Sequence, residues 1–219
     1  MATKFNFKPA ELSKKHRFYY LLWEMACAGF LILWYGNFAY VFATHFYETH
    51  AISAFLYLIY ELMIVLLLVV RNLPKEISFS PYDWFVAIAG TLGSTLLRPT
   101  ENSLLPDMDF LIILQLAGLI ISAIGLASLS KSYGTVAANR GIRTSGIYRF
   151  IRHPLYAGYF LTLTAFVLQN ATLYNLIVVA MVFVFKLLRI FAEERLLLQD
   201  PEYQAYANKT KARIIPYIW

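Results

Sequence analysis

Apolar residues gather into six long stretches, at 18–43, 51–70, 82–97, 108–130, 155–169 and 173–191, and the polar residues lie mostly between them. A helix crossing a bilayer needs roughly 17–25 such residues. The pattern therefore predicts about six transmembrane helices, of which the third and fifth are short. Only the turn-like QNATLY separates the last two stretches, which predicts a tight antiparallel helical hairpin. Beyond 191, Leu196 and Leu198 continue the spacing of Leu187, Leu188 and Phe191 among charged residues, so the last helix is expected to run on past the bilayer.

Composition agrees with this pattern. The chain is 59% hydrophobic and 15% charged, whereas soluble domains carry about a quarter charged residues. The expected class is an all-α integral membrane protein without a Rossmann domain. Residues 1–130 would hold the first four helices, and 131–219 a loop, the hairpin and a polar tail. The single cysteine, Cys27, excludes an intrachain disulfide framework. ACA at 26–28 resembles a leader cleavage site, but the apolar run continues to 43, which favours a first membrane helix.

Charge then orients the chain. Apart from Arg98, all 19 lysines and arginines fall before the first span, after the second, in the loop after the fourth, or from Lys186 onward. By the positive-inside bias, both termini and the 131–153 loop are expected in the cytoplasm. The formal charge of +6 thus reads as topology and does not argue for a nucleic-acid partner.

Candidate chemistry is sparse and local. No G-x-G-x-x-G or Walker motif is present, and His16, His45, His50 and His153 lack metal-ligand spacing, so neither a nucleotide fold nor a metal is expected. The hairpin instead brings 143–158, RTSGIYRFIRHPLYAG, against the far end of the sixth stretch, at a cytoplasmic pocket. Pro154 suits a first helical turn, where free backbone N–H groups favour an anionic group. Arg149 and Arg152 add positive charge. Arg189 and Glu193, four apart, share a helix face. Tyr148 and Tyr156 offer flat faces for a purine or a sulfonium. Each feature alone also fits a membrane-interface residue or a surface ion pair; their convergence suggests a pocket for a zwitterionic, aromatic-bearing cofactor.

At these residues the chain resembles the isoprenylcysteine carboxyl methyltransferase family of integral membrane enzymes, which includes phospholipid N-methyltransferases. The likeness is G-x-Y-x-x-x-R-H-P-x-Y-x-G (Gly146, Tyr148, Arg152, His153, Pro154, Tyr156, Gly158), followed by R-x-x-x-E-E-x-x-L (Arg189, Glu193, Glu194, Leu197). Tyr203, Tyr206 and Ile215-Pro216 extend it, over roughly 125–219. The resemblance implies an S-adenosylmethionine site at Tyr148, His153, Pro154, Leu155, Tyr156 and Glu193, with Arg152 beside it. Arg140, Gly141, Ile142 and Arg143 enter by a looser match. It also implies that Arg189 faces a lipophilic methyl acceptor arriving from the bilayer. A carboxylate acceptor, such as that of a prenylated cysteine, needs no base. For an amine or thiol, His153 or Glu194 is the candidate base. Glu24 and Glu61, inside the first two stretches, are costly there, and Glu61 is a candidate tunnel residue. The alternatives are an N- or S-methyltransferase of phospholipids or small molecules, an NADPH-dependent sterol reductase sharing R-H-P-x-Y, and a small transporter or partner protein.

Overall fold

The computed structural model describes residues 6–50, 52–98, 100 and 109–216. The first positions of two expected spans, 51 and 108, and the closing 217–219 lie outside the described residues. Helices form at all six expected places: α1 (Lys14–Thr49), α2 (Ile52–Val70), α3 (Pro81–Leu92), α4 (Asp109–Leu129), α5 (Pro154–Gln169) and α6 (Leu173–Leu197). A seventh, α7 (Pro201–Lys209), follows in the tail.

Among the described residues, three helical segments are long and apolar enough to cross a membrane: α1, Phe110–Ser132 (most of α4 and the 3-10 turn after it), and α6. The segment Ala54–Val70 of α2 is apolar but shorter. α3 has 12 residues and α5 has 16, less than a full crossing of about 20. The outer faces are apolar, with Leu33, Leu66, Val69, Ile113 and Val184 exposed, as surfaces against lipid are.

Local chemistry sets the helix ends. Pro81, Pro154 and Pro201 each stand at a first helical turn, where the missing N–H breaks no bond. Thr172 caps α6 through its hydroxyl, which accepts from Asn175 N at 3.1 Å. His50 ends α1 in the left-handed conformation, and its N–H donates to Phe46 O.

α1 packs on α2, α2 on α4, α4 on α5, α5 on α6, and α6 on α3. One core cluster joins Tyr60, Ile64, Leu68, Leu119, Leu126, Tyr133 and Leu155, so residues from both sides of the 130/131 boundary share a core. α4 and α5 approach very closely because Gly118, Ser122 and Gly158 meet at their crossing; small residues permit this in membrane bundles. A Cβ on Gly158 would lie 2.5 Å from Gly118 O and 2.6 Å from Ser122 N, both backbone atoms. Gly158→Ala is therefore expected to force the helices apart and to destabilise the protein by about 2 kcal/mol. Thermal unfolding in detergent checks this, and an unchanged midpoint would contradict it.

A small antiparallel sheet, absent from the sequence reading, ties one end of the bundle together. β1 (Asn6–Phe7) pairs with β2 (Glu76–Ser78), and β2 with β3 (Ala138–Asn139), in the order β1-β2-β3. It links the segments before α1, after α2 and after α4, where the basic residues cluster. Arg98 lies at the other end of α6, its backbone N–H donating to Asn175 and its guanidinium over Tyr174.

Candidate active site

The end of the bundle that carries the sheet also carries the expected residues. In the loop after α4, Gly141 takes φ +109° and Gly146 φ +63°, conformations that side chains resist. Gly141 N–H donates to Asn139 Oδ1 at 3.0 Å. The 3-10 turn Gly146–Arg149 then places Tyr148, which is buried. The tail after α7 returns alongside: Arg152 N donates to Ala212 O at 3.0 Å and His153 N to Arg213 O at 2.8 Å. His153 thus enters α5 with its backbone already anchored.

The antiparallel hairpin sets the start of α5 against the last turns of α6. Glu193 Oε1 accepts from Tyr156 Oη at 2.5 Å and from Arg189 Nε at 3.1 Å. Arg189 also donates to Thr91 Oγ1 at 3.1 Å and to Gly134 O at 3.2 Å. Its guanidinium lies 5.6 Å from the Tyr156 ring centroid. The neighbouring Glu194 is turned elsewhere. Its Oε1 accepts from His153 Nε2 and from Arg152 Nη2, each at 3.1 Å, and its Oε2 from Arg213 Nε at 2.8 Å. Three positive or proton-bearing groups thus converge on one buried acid.

A cavity of about 720 Å³ opens between these elements. Its polar end is lined by Arg140, Gly141, Ile142, Arg143, Tyr148, Arg152, His153, Leu155, Tyr156, Arg189 and Glu193. It continues into an aromatic limb walled by Trp34, Tyr35 and Phe38 of α1, Tyr57, Tyr60 and Glu61 of α2, and Leu119 of α4. Pro154 and Glu194 do not line it. Pro154 acts through the helix that it starts. Glu194, expected as a candidate base, lies behind the wall and fixes Arg152 and His153.

Arg140 also departs in part from its expected role. One of its Nη atoms donates to Glu24 at 2.6 Å and the other to Asn72 O. Arg71 donates to the same Glu24 oxygen at 2.9 Å. Glu24 is thus the centre of a buried ion cluster that fastens α1 to the loops after α2 and α4. Burial and the nearby Arg140 depress Arg71, and Glu24 opposes the effect.

Several polar atoms on the cavity wall have no protein partner. Arg140 Nε, Arg152 Nε and Tyr203 Oη are buried and unpaired at the polar end, and Glu61 Oε2 in the aromatic limb. Such atoms each cost on the order of 1–3 kcal/mol. Burial pushes the phenols of Tyr148, Tyr203 and Tyr206 well above their ordinary range. They remain protonated, and Tyr206 donates to Tyr148 O at 2.7 Å.

Thr91, Gly134, Tyr203 and Lys186 are among the wall residues outside the expected set. Thr91 and Gly134 carry no sequence signal of their own. Tyr203, like Tyr206, carries only the signal of the motif that it extends. Lys186 fits the positive-inside pattern, but a lysine inside FVFKLLRIF is itself a signal. Among the described residues, no three histidines, cysteines or acids gather as a metal group.

Comparison with curated proteins finds no match. The model of the isoprenylcysteine carboxyl methyltransferase (ICMT) family matches residues 111–199. The matched segment runs from α4 to the turn after α6 and so holds both halves of the motif, stopping short of Tyr203, Tyr206 and Ile215-Pro216. Residues 111–199, which supply most of the polar wall of the cavity, carry this likeness to the isoprenylcysteine carboxyl methyltransferase family, a family of membrane methyltransferases.

Proposed function

We propose that the protein uses S-adenosylmethionine to methylate a lipophilic acceptor, the carboxylate of a prenylated cysteine being the acceptor best suited to the site. The observation that carries this reading is the continuity of the cavity. One space joins a polar end built by the family motif to an aromatic limb between α1, α2 and α4. A water-soluble cofactor and a hydrocarbon chain can therefore meet inside it.

The residues present fit such a cofactor. Arg152 and Arg140 line the polar end and bring guanidinium groups to its carboxylate. Glu193 uses one oxygen for Tyr156 and Arg189, which leaves the other for ribose hydroxyls. The neutral rings of Tyr148 and Tyr156 suit a purine or a sulfonium cation. When bound, S-adenosylmethionine supplies a methyl group activated by positively charged sulfur.

The protein's own work is then alignment and exclusion of water. The two groups considered as bases are committed to each other, since His153 Nε2 is bonded to Glu194. That favours an acceptor already ionised over an amine or thiol that must lose a proton. By the charge bias of its loops, this end of the bundle would face the cytoplasm with both termini, and the protein would be multi-pass. Labelled methyl transfer to a panel of prenylcysteine, phospholipid-amine and thiol acceptors tests the reading. Label in the prenylcysteine ester is the expected result.

A further inference from the structure

Arg189 was the residue expected to face the acceptor, yet three of its five N–H groups are engaged by Glu193, Thr91 and Gly134, and its charge is balanced by Glu193. One turn earlier on the same helix, Lys186 lines the same cavity and is only 4% exposed. Its Nζ donates to Gly90 O at 2.9 Å and lies 4.3 Å from the Tyr159 ring centroid. An ammonium has three N–H bonds, so two remain. No carboxylate of the described residues lies within ion-pair distance of it.

A buried cation without a counterion is costly, and a second cation one turn away raises the cost. Glu193 neutralises Arg189, so a protonated Lys186 leaves the group Lys186, Arg189 and Glu193 with one net positive charge at the wall. That is the complement of one anion. We infer that Lys186 is the specificity residue for the acceptor's carboxylate, gripping it with its free N–H groups while Arg189 braces Glu193. The inference rests on the carboxylate reading above and names the residue that enforces it. Tyr159 covers the ammonium with a polarisable face, and its hydroxyl is held by Tyr60 at 2.8 Å. The cation therefore sits where the polar end meets the aromatic limb, the place for a head group whose tail runs on between α1 and α2.

The test compares equilibrium binding of an N-acetylated S-prenylcysteine and its carboxamide to the detergent-solubilised full chain. The wild type is expected to prefer the carboxylate by roughly 10-fold or more. Lys186→Met should abolish that preference, and Lys186→Arg should restore part of it. Stabilisation by S-adenosylhomocysteine should persist in both variants. If Lys186→Met does not fold, Lys186→Gln, which keeps a donor for Gly90, takes its place. A preference that survives loss of the charge, or equal binding of the two compounds by the wild type, overturns the inference. A Lys186-dependent preference in a protein that shows no methyl transfer supports the inference and counts against the enzymatic reading alone.

Discussion

Glu194→Ala is expected to cost about 3–5 kcal/mol of stability, because it strands buried cations that were paired. Arg152 and His153 are themselves buried, and Arg213 is the tail's side-chain tie to α6. For a chain of this size the unfolding midpoint should fall by roughly 10 °C. Cofactor affinity should fall as well, since Glu194 holds Arg152 and His153 at the cavity wall. Glu194→Gln keeps an acceptor oxygen and should lose less. A midpoint for Glu194→Ala equal to that of the wild type would show that the acid is not the anchor described here. Retained stability with lost turnover would return it to the role of a base.

Glu193→Ala should act chiefly on binding. Its carboxylate is the less buried of the pair and lines the cavity, and its removal strands Arg189 alone, so it should cost less stability than Glu194→Ala. Loss of a charge-assisted acceptor for the cofactor's hydroxyls is worth about 1.5–3 kcal/mol, or roughly 10- to 100-fold in affinity for S-adenosylhomocysteine. Arg189→Ala should lose less, because Tyr156 still holds Glu193 at 2.5 Å. Titration calorimetry on the two variants measures both effects. Equal losses would mean that Glu193 serves only to brace Arg189.

The contrast between these neighbouring glutamates shows where reading the sequence stops. Helical spacing placed Arg189 and Glu193 on one face, and the QNATLY turn brought that face opposite His153 and Tyr156. Both inferences rest on local periodicity, which a sequence displays directly. Consecutive residues on a helix point about 100° apart, so E-E had to divide between two environments. Which acid took which was decided by packing, with Ile190 and Ala192 buried against their neighbours. No local pattern encodes that rotation.

The ion cluster at Glu24 was illegible for a different reason. Its partners stand 47 and 116 positions away along the chain, so neither Arg71 nor Arg140 could be matched to it by spacing. The three-stranded sheet was missed because strands of two or three residues carry no alternation to detect. Lys186 was visible as a charge in an apolar run, but topology offered a sufficient explanation for it. Only the cavity shows that it points to unshared space.

The measurement that bears most directly on the central claim is transfer of labelled methyl from S-adenosylmethionine to an extracted lipophilic acceptor by the purified protein. Label is predicted in the prenylcysteine ester, greatly diminished with Glu193→Ala. An unlabelled panel, in a protein that NADPH stabilises and S-adenosylhomocysteine does not, would contradict the account and favour a reductase.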